Sequence, residues 1–263
     1  MERFNYKKKY GQNFITDKNL INKIVNLVPI TKNDLVIEVG PGSGALTLDL
    51  VNRAKNVIIY EIDSDLEEII NNKLNDYDNY KLIINDFLDV DIKKDIDDYQ
   101  FDNLIFVSNL PYYVTTPIIK KFIDDGILCD YMVVMVQDEV ADRLSAVVGS
   151  KDYGSLTVYL NAFYDIKKEL KVNRKLFFPI PNVDSAVVVM KKKDNIKINN
   201  YDFFKKFVKD CFRFKRKNLR NNLKGYDIDI IESLLSKYNL SLSNRAEEID
   251  YSIFIDIANK MSE

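Results

Sequence analysis

The sequence predicts an open α/β sheet, mostly parallel with one antiparallel edge strand, followed by a small all-α domain. Three observations carry this. Short apolar runs alternate with stretches of helical spacing from Asp17 to Val136, as in successive strand–helix–strand units. The first apolar run opens directly onto a glycine turn and a helix, Gly40 to Val51, the start of a crossover to a parallel neighbour. Beyond Met190 the apolar residues fall only at helical spacing and the charge changes sign. The boundary is placed there, giving domains 1–190 and 191–263 of a 263-residue chain.

Each element has a local reason. Lys7-Lys8-Lys9-Tyr10 is a basic, aromatic lead-in, and Asp17 is an N-cap for Leu20, Ile21, Ile24 and Val25, with Pro29 beyond the helix. Leu35 to Val39 is a buried strand that runs into Gly40-Pro41-Gly42-Ser43-Gly44. Val57 to Tyr60 ends in Glu61-Ile62-Asp63, Leu82 to Ile84 ends in Asn85-Asp86-Phe87, and Leu104 to Val107 ends in Ser108-Asn109. Tyr131 to Val136 is a fifth strand. Thr157 to Phe163 and Ala186 to Met190 are read as an antiparallel pair at the sheet edge. Phe177-Phe178-Pro179-Ile180-Pro181 between them is stiffened by its prolines. In the last domain Phe203, Phe204, Phe207, Val208 and Cys211 mark a helix, which Arg213 to Arg220 is expected to continue with a basic face. Ile230, Ile231, Leu234 and Leu235 mark another helix, and Phe254, Ile255 and Ala258 a last one.

Composition narrows the chemistry. There is no histidine, which removes a histidine base, a histidine dyad and every histidine-held metal. With only two cysteines, and those without ligand spacing, a zinc site would have to be built mostly from carboxylates, which is unusual for zinc, so no metal is expected. Cys129 and Cys211 read as buried free thiols of a cytoplasmic protein, and the N-terminal segment has no apolar core after its charges. No apolar run approaches a membrane span, so no membrane partner is expected. The net charge is −2, with 16 basic against 11 acidic residues from 191 onward. Lys191 to Arg220 alone holds 12 basic and 3 acidic residues. A basic segment on an acidic chain suits a polyanion.

The strand ends suggest a nucleotide-type site. Gly40 and Gly42 let the backbone approach a ligand closely, and Glu61 lies about 20 residues on, where an acid takes ribose hydroxyls. The spacing is GxGxG, not the dinucleotide GxGxxG. Asp86 is placed to accept from an adenine amine, with Phe87 beside the ring. Asn109-Leu110-Pro111-Tyr112 forms a stiff turn at a strand's carboxyl end. Its amide oxygen plus a carbonyl at Leu110 or Pro111 can accept both hydrogens of a primary amine, while Tyr112 can stack on a heterocycle.

These pieces occur together in one family. The chain resembles the ribosomal RNA adenine N6-dimethyltransferases through Gly11-Gln12-Asn13-Phe14-Ile15-Thr16-Asp17, Glu38 to Thr47, Glu61-Ile62-Asp63, Asn85-Asp86 and Asn109 to Tyr113 with Thr116-Pro117-Ile118. Gln137-Asp138-Glu139, Tyr153-Gly154-Ser155-Leu156, Phe177 to Val188 and Phe214 to Leu219 continue the match in the family's order. Leu110, Thr116-Pro117-Ile118 and Val183-Asp184-Ser185 look like the branch that modifies small-subunit (16S) RNA. Ile15, Val39 and Lys215 are small departures, the last bearing on phosphate geometry.

The resemblance implies a Rossmann-like S-adenosylmethionine-dependent methyltransferase that leaves S-adenosyl-L-homocysteine as product. It places Asn13, Ile15, Gly40, Gly42, Glu61, Ile62, Asp86, Phe87 and Asn109 on the cofactor. Asn109, Leu110, Pro111, Tyr112 and Phe177 would hold the target adenine, Tyr112 and Phe177 as a sandwich. Lys7, Lys8, Lys9, Arg213, Lys215, Arg216, Lys217 and Arg220 would meet RNA. The expected partner is small-subunit RNA in a pre-30S-type particle, met by a monomer. The rival readings are a large-subunit methyltransferase of the antibiotic-resistance type, a largely non-catalytic assembly factor, a DNA adenine methyltransferase, and a dinucleotide oxidoreductase.

Overall fold

The computed structural model describes residues 14–263. Lys7, Lys8, Lys9 and Asn13 lie outside the described residues. The chain forms two compact units. One comprises the described residues to Ala141 with Lys167–Lys192, the other Asp142–Ile166 with Lys193–Glu263.

The first unit is the sheet. After the two-residue strand β1 (Phe14–Ile15) come α1 (Lys18–Val25), β2 (Leu35–Val39), α2 (Ala45–Arg53), β3 (Asn56–Glu61), α3 (Glu67–Lys73) and β4 (Tyr80–Ile84). They are followed by α4 (Ile92–Ile96), β5 (Leu104–Asn109), α5 (Thr115–Asp124) and β6 (Tyr131–Gln137), which leads into α6 (Asp138–Leu144). The Asp17 side chain accepts from Leu20 N at 2.7 Å, the expected cap. The seven-stranded sheet has the order β4-β3-β2-β5-β6-β9-β7, with β7 at Tyr164–Val172 and β9 at Ser185–Lys192. β4 through β6 run parallel, Ile37 standing opposite both Ile58 and Phe106. β9 is antiparallel to β6. The chain leaves β2 towards β3 and β4, then returns to place β5 on the other side. The carboxyl ends of β2 and β5 therefore flank the topological switch point, where such sheets bind ligands. Both strands are almost wholly buried, which is why they read as continuous apolar runs. Val36, Leu50, Val57, Ile59, Ile105 and Val133 sit at the centre of the core.

The expected edge pair does not form, although Ala186 to Met190 is a strand within β9. Thr157 to Phe163 is not a strand but the helix α7 (Ser155–Phe163), in the second unit. Its Val158, Tyr159, Leu160, Ala162 and Phe163 are all buried. A short segment buried on every side shows no period by which to tell helix from strand. The true edge strand is the charged β7, whose burial simply alternates; edge strands with such charges resist pairing to other chains.

The second unit is helical: α7, α8 (Tyr201–Cys211), α9 (Leu219–Asn222), α10 (Ile228–Ser236) and α11 (Tyr251–Met261). Phe207 packs edge-on to Phe254 and Tyr226, at 6.4 and 5.5 Å between ring centres. α7 packs against α8 and α11, so residues 142–166 belong here, whereas a single boundary at 190 leaves them with the sheet. Arg213 to Arg220 does not continue α8. That helix stops at Cys211, because the buried Asn222 side chain takes Phe214 N at 3.0 Å and donates to the carbonyls of Phe214 and Lys217. The basic run is a pinned turn up to Asn218, with Arg220 in α9.

Candidate active site

One cleft at the switch point gathers the chemistry. Its walls are the glycine turn after β2, the ends of β3, β4 and β5, and the turn from Asn109 to Val114. The empty volume is about 1060 Å³, including its open mouth.

The glycine turn is built for close approach. Gly40 and Gly42 have φ of +69° and +58°, a region that side chains rarely adopt. A Cβ on Gly42 would stand 2.4 Å from the Phe14 ring. The turn is held by Gly40 N donating to Tyr60 O at 2.9 Å and Lys73 Nζ donating to Ser43 O at 2.9 Å.

Carboxylates line its far side. Glu61 ends β3, is 4% exposed, and accepts from Asp63 N at 2.9 Å. Burial raises its pKa, and the backbone N–H groups of Asp63, Gly42 and Ile62 oppose that. Ile62 is partly exposed at the rim. Asp86 uses Oδ1 to cap the next turn, accepting from Leu88 N at 2.9 Å. Phe87 lines the cleft, yet its ring is buried edge-on to Tyr60 at 5.0 Å. Ile15 also reaches the wall.

Glu38 is the member that sequence reading missed as a site residue. It lies in β2, 1% exposed, lines the cleft, and its Oε2 has no hydrogen-bond partner among the described residues. Burial pushes its pKa up to about 8; the charge of Glu61 adds to this, while Thr47 and Lys73 offset part of it. The available signal was one carboxylate inside an otherwise apolar strand next to the glycine turn.

Opposite stands the turn after β5. Ser108 Oγ donates to Val39 O at 2.5 Å, tying β5 to β2. Leu110 N donates to Met135 O at 3.2 Å. Asn109, Leu110, Pro111 and Tyr112 all line the cleft. The Pro111 carbonyl is already used twice, by Val114 N and by Thr115 Oγ1, both at 3.2 Å. The Tyr112 hydroxyl meets Ser185 Oγ at 2.7 Å, and burial raises its pKa, so it remains a neutral phenol.

Phe177 is not brought to this cleft. It lies in the two-residue strand β8 (Phe177–Phe178), which pairs with β1. Side chains alternate along a strand, so Phe177 turns into the core at 2% exposure and Phe178 turns outward at 53%. The expected sandwich of Tyr112 and Phe177 therefore has one ring at the cleft and one in the core.

Arg213, Lys215, Arg216, Lys217 and Arg220 are exposed in the second unit. Lys215 Nζ donates to Lys151 O at 2.8 Å, and Arg220 stands 3.8 Å from Glu232. Both cysteines are buried free thiols. Among the described residues no cluster of three or more cysteine or acidic side chains is arranged to hold a metal, and no helix is long and apolar enough to cross a membrane.

Comparison with known proteins finds relatives along nearly the whole chain. The family model for ribosomal RNA adenine dimethylase matches residues 3–263. The chain is 43% identical over 251 residues to the ribosomal RNA small subunit methyltransferase A of Mycoplasma mobile, covering 95% of this chain and 96% of that one. It is 39% identical over 267 residues to the protein of the same name from Clostridioides difficile, covering 98% and 92%. Among solved structures, a dimethyladenosine transferase from Plasmodium falciparum superposes with a TM-score of 0.80 at 26% identity, covering 93% of this chain and 95% of that one. The 23S rRNA methyltransferase ErmE shares the fold, with a TM-score of 0.74 at 24% identity over 95% and 100%.

Proposed function

Because the chain belongs to the ribosomal RNA adenine dimethylase family, we propose that it dimethylates N6 of adjacent adenines in small-subunit (16S) ribosomal RNA, using S-adenosylmethionine. It acts as a cytoplasmic monomer on a pre-30S-type particle during ribosome assembly. The observation that carries the reading is the cleft itself, where the Asn109 to Tyr112 turn faces a glycine turn and three carboxylates.

The residues present fit the cofactor. Gly40 and Gly42 present bare backbone to the cleft, Glu61 suits ribose hydroxyls, and Asp86 retains an oxygen for an adenine amine. The unpartnered Glu38 oxygen suits the ammonium of its amino-acid end. Asn13, Ile15, Ile62 and Phe87 complete the set. When bound, the cofactor supplies a methyl group on a sulfonium, already a strong electrophile.

The protein's task is then geometric. The adenine amine is a poor nucleophile because its lone pair is delocalised into the ring. Asn109 Oδ1 and a backbone carbonyl accept its two hydrogens, draw it from the ring plane and localise that pair. The double occupancy of the Pro111 carbonyl supports giving the second role to Leu110. Holding the amine in line supplies much of the remaining acceleration. The methylated amine sheds a proton to water, so no histidine is needed. A base extruded from RNA stacks on Tyr112, which offsets part of the unstacking cost of a few kcal/mol. Phe177, in the core behind the cleft, supports β1 rather than a base.

Arg213, Lys215, Arg216, Lys217 and Arg220 bind phosphates, with Lys7, Lys8 and Lys9 assisting, and set affinity and register rather than base identity. The division of labour is a cofactor-binding sheet unit and a basic helical unit. The test is mass spectrometry of ribosomal RNA after small-subunit particles are incubated with the protein and labelled cofactor. Two methyl groups on each of two adjacent small-subunit adenines are expected; label only in large-subunit RNA, or none, overturns the proposal.

A further inference from the structure

We propose that Ser185 is a positioning residue, which anchors the far end of the Tyr112 ring from the start of β9, two strands from β5 in the sheet. The inference rests on the reading of Tyr112 as the platform for the target base.

Tyr112 sits on a stiff turn whose constraints act on the backbone. The backbone around it is fixed by the bonds of Leu110 N and the Pro111 carbonyl, but neither restrains rotation about the tyrosine's two side-chain torsions. A ring that is to receive an extruded base must already hold one position, since freezing it on binding costs rotamer entropy. The far end of the ring supplies the restraint. Its hydroxyl meets Ser185 Oγ at 2.7 Å; the oxygen lies on the axis of the outer torsion, so the contact fixes the inner torsion and with it where the ring sits. Either oxygen can donate, and the pair remains satisfied whichever does.

Ser185 is a rigid anchor. It is the first residue of β9, fully buried, opposite Gln137 in the β6–β9 ladder. The residue before it is held on two sides. Asp138 N donates to Asp184 O, and Arg174 N to Asp184 Oδ1, both at 3.1 Å. Asp138 is in turn paired with Lys168 at 2.7 Å. A buried hydroxyl needs a partner, and Tyr112 provides it. The contact spans 73 positions of sequence, and no property of the turn alone announces it.

The test compares single-turnover methylation of small-subunit particles by wild type, Tyr112→Phe, Ser185→Ala, the double variant and Tyr112→Ala, with cofactor affinity measured for each. Tyr112→Phe keeps the ring and removes only the hydroxyl. Loss of one hydrogen bond of this kind should slow each single variant about fivefold. The double variant should be about fivefold slower as well, not about 25-fold, because both changes break the same bond. Cofactor affinity should be unchanged throughout, and Ser185→Thr, which keeps the hydroxyl, should restore most of the rate. A wild-type rate in Tyr112→Phe, or multiplicative losses in the double variant, would overturn the proposal even if Tyr112→Ala is severely impaired. A wild-type rate in Tyr112→Ala would instead overturn the platform role of Tyr112, and the proposal with it.

Discussion

Replacing Glu38 by Gln should flatten the pH dependence of stability. The carboxyl is wholly buried, and its pKa rises from 4.5 to about 8. Between those values the folded protein keeps a proton that the unfolded chain has lost. Stability therefore falls as pH rises through the window. The favourable contribution is complete below the unfolded value and gone once pH passes the folded one. At roughly 1.4 kcal/mol per pH unit the full span corresponds to about 5 kcal/mol, an upper figure. Gln has nearly the same shape and does not titrate. Urea unfolding of both proteins at steps from about pH 5 to about pH 8.5 should show wild type losing several kcal/mol relative to Glu38→Gln. Glu61 and Lys73 titrate in both proteins, so only the part of their contributions that depends on the Glu38 charge remains in the difference. Parallel stability curves across the window would refute the protonated state of Glu38. The same proton bears on the cofactor. If the ammonium pairs with Glu38, binding near neutral pH releases up to one proton, which calorimetry in buffers of different ionisation heat would count.

Three further outcomes are expected. Asn109→Ala should lower single-turnover methylation by at least about 100-fold, the cost of one preorganised hydrogen-bonding group, while leaving the thermal midpoint near that of wild type; substantial retained methylation would remove Asn109 from its role. Charge reversal at Arg216 and Lys217 should weaken binding to small-subunit particles and reduce the slope of log affinity against log salt by about 2, with cofactor affinity unchanged; an unaltered slope would mean that these side chains do not meet phosphate. Asn222→Ala should free the carbonyls of Phe214 and Lys217 and cost about 1–3 kcal/mol in urea unfolding; a loss below about 0.5 kcal/mol would show that the turn has other support.

The site was legible in the sequence wherever its chemistry is local. The glycine turn, Glu61, Asp86 and the Asn109 turn each lie at or just beyond the end of a mostly apolar strand, and a strand end plus a short loop is contiguous sequence. What was not legible depends on the third dimension. α7 reads as a strand because burial on all sides erases its period. β7 was missed because its apolar residues are separated by Asp, Lys and Glu, the expected dress of an edge strand. Phe177 and Phe178 are the same residue type side by side, and only the pairing of β8 with β1 decides which one enters the core. The basic run departs from helix because of Asn222, which lies beyond it in sequence. Glu38 was visible as a residue, but its protonation is a property of what surrounds it.

The second unit is assembled from two stretches of chain, with Lys167–Lys192 returning to the sheet between them. No single cut can release either unit whole. A fragment that stops before α11 would leave α7 without one of its main neighbours and its Val158, Leu160 and Ala162 uncovered. During synthesis α7 leaves the ribosome some ninety residues before α11, about five to twenty seconds at ordinary elongation rates. For that interval an apolar helix waits for a mate not yet made. A nascent chain of this length is thus a candidate client for chaperones that hold exposed apolar segments, whatever the stability of the finished protein.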